Sequence, residues 1–138
     1  MEKIKVFIGW AEKNYSAYTD DFDTLNGVIA ATGKTLDDVK KEFESALQFH
    51  INGCKKDGDE LPEWLLSGQY EIKYNLETSA LLHNFDGILT RAALSRATGI
   101  NQRQIGHYAS GIKTPRPAQR KRIIDGIHKI SRELASVM

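Results

Sequence analysis

Along residues 3–10, Ile4, Val6, Ile8 and Trp10 alternate with Lys3, Lys5, Phe7 and Gly9. A period of two marks a strand whose two faces meet different surroundings. "EKN" at 12–14 supplies a turn. "YSAYT" (15–19) and "GVIAAT" (27–32) then predict a second and a third strand, joined by the acidic link "DDFDTLN" and ended by Gly33. At Thr35 the period changes. Leu36, Val39, Phe43, Leu47, Ile51 and Cys54 recur three or four residues apart, one apolar stripe on a helix of about five turns. Thr35 and Asp38 form a variant of the capping box at its start. "KKDGDELP" ends this helix, "EWLLSG" predicts an irregular or single-turn segment, and "YEIKYNL" reads as a fourth strand with Tyr70, Ile72, Tyr74 and Leu76 on one face.

After Glu77 the strand pattern stops. Ser79 can cap a helix carrying Leu81, Leu82 and Phe85 and closed by Gly87; Thr90 can cap a second, with Leu94 and Ala97, closed by Gly99. Asn101 caps a third. Beyond "KTPRP", Ile123, Ile127, Ile130 and Leu134 recur at four, three and four residues, a long closing helix in which Gly126 is tolerated at some cost. The expected fold class is α+β: a small N-terminal β-β-β-α-β sheet domain at 1–77, followed by an all-α helix-turn-helix domain at 78–138.

Charge sharpens that division. Residues 1–78 hold nine lysines against fifteen carboxylates, a net of −6, whereas 79–138 hold ten Lys and Arg against Asp86, Asp125 and Glu133, a net of +7. The overall charge of +1 conceals this split. A basic half beside an acidic half points to two units with different partners, the basic one suited to nucleic acid. No apolar run approaches the ~18 residues of a membrane span, and the N-terminus lacks the pattern of a secretory signal, so the expectation is a cytoplasmic protein with no membrane partner. Cys54 is the single cysteine and excludes an internal disulfide.

The stretch "TGINQRQIGHYASGIKTP" (98–115) concentrates polar side chains while keeping Ile100, Ile105, Tyr108 and Ile112 apolar. From Thr90 to Gly111 the layout is that of a helix-turn-helix. Gly99 makes the turn, small Ser95 allows close approach, and Leu94, Ile100, Ile105 and Tyr108 bury the angle. With those inward, Gln102 and Arg103 must project outward, and His107 lies one turn beyond Arg103. Gln pairs bidentately with adenine and Arg with guanine, so these three are the candidate base-reading residues. Asn101, Gln104, Ser110 and Lys113 border the same surface for phosphates, Arg91 reaches the backbone from the preceding helix, and Arg116 extends the set. Arg120 and Arg122 have the same charge, but a charge run is more often a solvated face.

This stretch, with its "GIN" turn and "SGIKTP" exit, resembles the phage-repressor and Cro class of helix-turn-helix domains over most of residues 79–135. The resemblance implies sequence-specific binding to a double-stranded DNA operator. One helix reads only a few base pairs, so a homodimer or higher homo-oligomer is expected, with half-sites about 34 Å apart or a multiple of that.

The first half, with Tyr15 to Ala17, Leu25 and Gly27, "GKT" opening a helix, and "DG" followed by Pro62, resembles the N-terminal domain of HicB-like antitoxins over nearly residues 3–77. It departs from the family pattern at Asn26 and Val28 and in a longer, more aromatic 61–69 region. That resemblance implies a truncated ribonuclease-H-like module that binds a small RNA-cleaving toxin, joined to a domain that represses its own operon. A toxin that grips RNA presents a basic surface, which an acidic domain is suited to cover. The alternative is a stand-alone regulator whose first domain dimerises or binds a small ligand.

Other chemistry is weaker. Asp20, Asp21 and Asp23 could hold the cations of a residual nuclease, but they lie in a link with no further acid motif converging on them. "TGKT" fails the spacing of a phosphate loop, since Gly27 and Gly33 enclose five residues instead of four. His50 and Cys54 lie along the apolar stripe, and two ligands make no metal site. The expectation is therefore a non-enzyme with no catalytic residues, no metal and no cofactor.

Overall fold

The computed structural model describes all 138 residues as an α+β structure, a mixed four-stranded sheet with seven helices. It divides into two compact units, Met1–Glu77 and Thr78–Met138. No helix is long and apolar enough to cross a membrane.

In the first unit the alternation at the N-terminus builds β1 (Glu2–Ala11), with Ile4, Val6 and Ile8 buried. β2 (Asn14–Tyr18) pairs antiparallel to it and β3 (Ala30–Gly33) antiparallel to β2. β4 (Tyr70–Leu76) lies parallel to β1 on its other side, giving the order β3-β2-β1-β4. A parallel neighbour requires a crossover rather than a hairpin, and α2 (Leu36–Asp57) supplies it. α2 buries Val39, Phe43, Leu47, Ile51 and Cys54. Its start is set by Thr35, whose hydroxyl accepts from the Asp38 N–H at 3.0 Å, and its end by Gly58 in the left-handed region at φ 74°. Gly33 lets β3 run directly into that start: a Cβ there would stand 2.5 Å from the Val39 nitrogen.

Two single-turn helices, α1 (Phe22–Leu25) and α3 (Glu63–Leu66), interrupt the expected β-β-β-α-β order. The acidic link coils because the Asp21 carboxylate accepts from the Thr24 N–H at 3.3 Å and Asn26 ends the turn at φ 54°. The third strand consequently starts at Ala30 rather than Gly27. Residues before it are held by Thr19, whose N–H donates to the Ile29 carbonyl and whose hydroxyl accepts from the Ile29 N–H, both at 3.1 Å. Val28, expected in a strand, is exposed.

The second unit contains α4 (Thr78–Asn84), α5 (Arg91–Thr98), α6 (Gln102–Ala109) and α7 (Pro117–Ala135) around Leu82, Leu89, Leu94, Ile100, Ile105, Tyr108, Ala109 and Ile123. Ser79 lies inside α4 instead of capping it, and the helix ends at Asn84, before Gly87. Leu134 and Ile112, apolar by pattern, are both exposed. The cause for Leu134 is length. Nineteen residues of α7 extend about 28 Å at 1.5 Å per residue, against about 12 Å for α5 or α6, so its last turns outrun the core. Ile112 sits in the turn after α6, beyond the last helical residue that faces inward.

Gly126 of α7 packs against Ala97 and Thr98 of α5. A Cβ built on it would stand 2.5 Å from the Thr98 Cγ2, a short side chain pinned by its own hydroxyl. Helix propensity alone predicts that Gly126→Ala stabilises by about 1 kcal/mol; the contact predicts the opposite. The expected outcome is a net destabilisation of about 1–3 kcal/mol, measured by urea unfolding, and a more stable variant would show that the helices separate without cost.

Candidate nucleic-acid interface

The corner between α5 and α6 is built from hydrogen bonds that short side chains make to nearby backbone. The Thr90 hydroxyl accepts from the Ala93 N–H at 3.0 Å and caps α5. Gly99 takes φ 76°, and its N–H donates to the Ser95 carbonyl at 2.8 Å; a side chain at that φ is strained. The Thr98 hydroxyl donates to the Leu94 carbonyl at 2.7 Å and accepts from the Ile100 N–H at 3.1 Å. Asn101 then caps α6 by accepting from the Gln104 N–H at 2.8 Å. Leu94, Ile100, Ile105 and Tyr108 are all at most 4% exposed and lock the angle from inside.

With that face inward, Gln102 and Arg103 are exposed. His107 is half-buried. Its Nδ1 is enclosed with no partner, so Nε2 is the ring nitrogen left for a ligand. Ser110 is exposed and donates its hydroxyl to the His107 carbonyl at 3.2 Å. Arg91, the first residue of α5, lays its guanidinium against Gly106 of α6. These five residues share the outward side of the corner.

Gln104 does not belong with them. It is half-buried and donates to the Tyr108 hydroxyl at 2.8 Å, so it turns toward a groove of about 450 Å³ that Lys113 and Arg116 also line. Asn101, expected to contact phosphate, spends its side-chain oxygen on the helix cap and keeps only its amide NH2 free for a ligand. Arg116 precedes Pro117, which opens α7 at the one position where its missing N–H costs nothing.

Sequence reasoning missed what the α7 cations do. Arg120 donates to the Thr78 hydroxyl at 2.8 Å, and Arg122 donates to the Thr98 carbonyl at 2.8 Å and to Gln119 at 3.1 Å. Both therefore brace the unit internally instead of lying free for DNA. Lys121 pairs with Asp125 at 2.8 Å. Their hydrogen bond holds the carboxyl below its ordinary range and the ammonium above its own. The i,i+4 spacing of that pair was legible in the sequence; a bond across twenty-four residues to Thr98 was not.

In the first unit, His50 Nε2 donates to the Leu25 carbonyl at 2.6 Å, and Cys54 is buried beside it. No group of three metal-ligating side chains converges anywhere in the chain, and Asp21 is occupied as a cap. The Tyr18 hydroxyl donates to Glu77 at 2.7 Å, which pushes its pKa up to about 12. One surface stands out: Phe49 is 82% and Val28 63% exposed, and both line a groove of about 420 Å³ together with Ala46 and Gly53. Asp57 and Asp59 are its charged lining residues, with no Lys or Arg among them.

No protein-family description, curated protein or solved structure matches this chain.

Asn101→Ala removes the cap and leaves the Gln104 N–H of α6 without its partner; the expected loss is about 1 kcal/mol of stability, read by thermal unfolding, whereas Asn101→Asp is expected to keep it.

Proposed function

We propose that this chain is an antitoxin-type repressor: its second unit binds an operator in double-stranded DNA, and its first unit covers a small basic, RNA-cleaving toxin. The observation that carries the DNA reading is the exposure of Gln102 and Arg103 side by side on α6, held outward by a corner whose inner face is closed. A helix of this size fits the major groove. Arg meets guanine O6 and N7, and Gln meets adenine N6 and N7. His107, one turn on, extends the reading surface, and Ser110, Lys113, Arg116 and Arg91 offer donors to phosphates. The net +7 of this half steers the chain to DNA from a distance. Two copies are needed to span two half-sites about 34 Å apart.

Support for the partner reading is the acidic first half together with the groove between Val28 and Phe49. That groove offers the exposed apolar side chains of Val28 and Phe49 together with the carboxylates of Asp57 and Asp59 to a cationic protein surface. The expected neighbour of the gene is a small basic reading frame whose product arrests growth and is relieved by this chain. Absence of such a frame would leave a stand-alone regulator, with the DNA reading intact.

Selection from a random duplex pool, followed by gel shift, tests DNA recognition directly. Arg103→Ala is expected to weaken the selected site by about 1–3 kcal/mol and to relax preference at one base position. Unchanged affinity and specificity would remove α6 as the reading element. Affinity for that site is also expected to fall steeply with salt through counterion release; an isotherm indifferent to ionic strength would argue against phosphate contacts.

A further inference from the structure

Glycine weakens a helix interior relative to alanine, through backbone entropy and the lack of a side chain to pack. Gly106 nevertheless occupies the fifth position of the eight-residue α6. The space above it is filled. A Cβ built there would stand 3.1 Å from Nη1 and 3.7 Å from Cζ of Arg91. Gly106 lies four residues after Gln102 and three after Arg103, so the position between those two side chains, one turn along, is where the guanidinium rests. Arg91 has no hydrogen bond or ion pair within the chain, so every donor of its fork remains open to a ligand.

We infer that Gly106 is a positioning residue: its missing side chain is a slot that holds the Arg91 guanidinium against the outward face of α6, where it meets a phosphate of duplex DNA beside the bases facing Gln102 and Arg103. The inference rests on the DNA-binding reading of α6. An arginine loses much rotamer freedom when it engages a ligand, and restricting the guanidinium beforehand removes part of that loss at the moment of binding. The planar fork suits phosphate oxygens bidentately. Arg91 thus joins the α6 surface itself, although the chain places it eleven residues before Gln102.

The test is a double-mutant cycle on the full chain with a labelled duplex of about 20 base pairs of scrambled sequence, titrated between about 50 and 200 mM salt. Arg91→Ala is expected to lower the log–log salt slope by about one, the loss of one phosphate contact. Gly106→Ala, which changes no charge, is expected to lower the slope when Arg91 is present and to leave it unchanged in the Arg91→Ala background. Its melting temperature is expected to hold or rise, because the displaced Arg91 guanidinium makes no hydrogen bond within the chain whose loss would cost stability. Equal losses from Gly106→Ala in both backgrounds, or no loss in either, would overturn the slot. A wild-type chain that fails to bind the duplex, or binds it without salt dependence, would instead overturn the DNA reading and this inference with it.

Discussion

The geometry of the second unit depends on Thr98. Its hydroxyl bridges the Leu94 carbonyl and the Ile100 N–H, its carbonyl accepts from Arg122, and its methyl rests on Gly126. One small residue at the end of α5 therefore holds the Ile100 N–H of the turn, has its own open terminal carbonyl met by Arg122, and admits the closing helix at short range. A buried hydroxyl without those partners would cost about 1–3 kcal/mol. With them it becomes a rigid joint. The outward placement of Gln102 and Arg103 is a consequence of that joint, because Ile105 and Tyr108 can be buried together only at one rotation of α6.

The joint also explains how the basic charge is divided. Arg120 and Arg122 look equivalent to Arg103 and Arg116 in a count of cations, yet they spend their donors on Thr78, Thr98 and Gln119. Lys121 is matched by Asp125. Of the seven other cations of this unit, Arg91, Arg103, Lys113 and Arg116 lie at the corner and its exit, while Arg96, Lys129 and Arg132 are exposed elsewhere on α5 and α7. A positive net charge attracts DNA at long range, but the internal bonds decide which side chains can meet it.

The first unit solves a different problem. A small sheet with one long helix must bury one face of α2, and five apolar residues do so without filling the helix flank that carries Ala46, Phe49 and Gly53. His50 ties that flank to the last residue of α1 through the Leu25 carbonyl, and Val28, in the loop that follows, is exposed. The resulting groove is lined by Val28, Phe49, Asp57 and Asp59, with no Lys or Arg among its lining.

Local features were legible in the residues themselves. The stripe from Val39 to Cys54, the caps at Thr35, Thr90 and Asn101 and the left-handed Gly58 and Gly99 all follow from interactions within four residues along the chain. So does the outward side of α6, since burying Ile105 and Tyr108 leaves Gln102, Arg103 and His107 little choice. What spans distance was not legible. The parallel pairing of β1 with β4, the Arg122–Thr98 bond, the turn of Gln104 to Tyr108 and the resting place of Arg91 depend on which segments the fold brings together. Periodicity specifies which face of an element is buried; only packing decides what lies against it, because side chains of the same type bind whatever partner the tertiary structure places within reach.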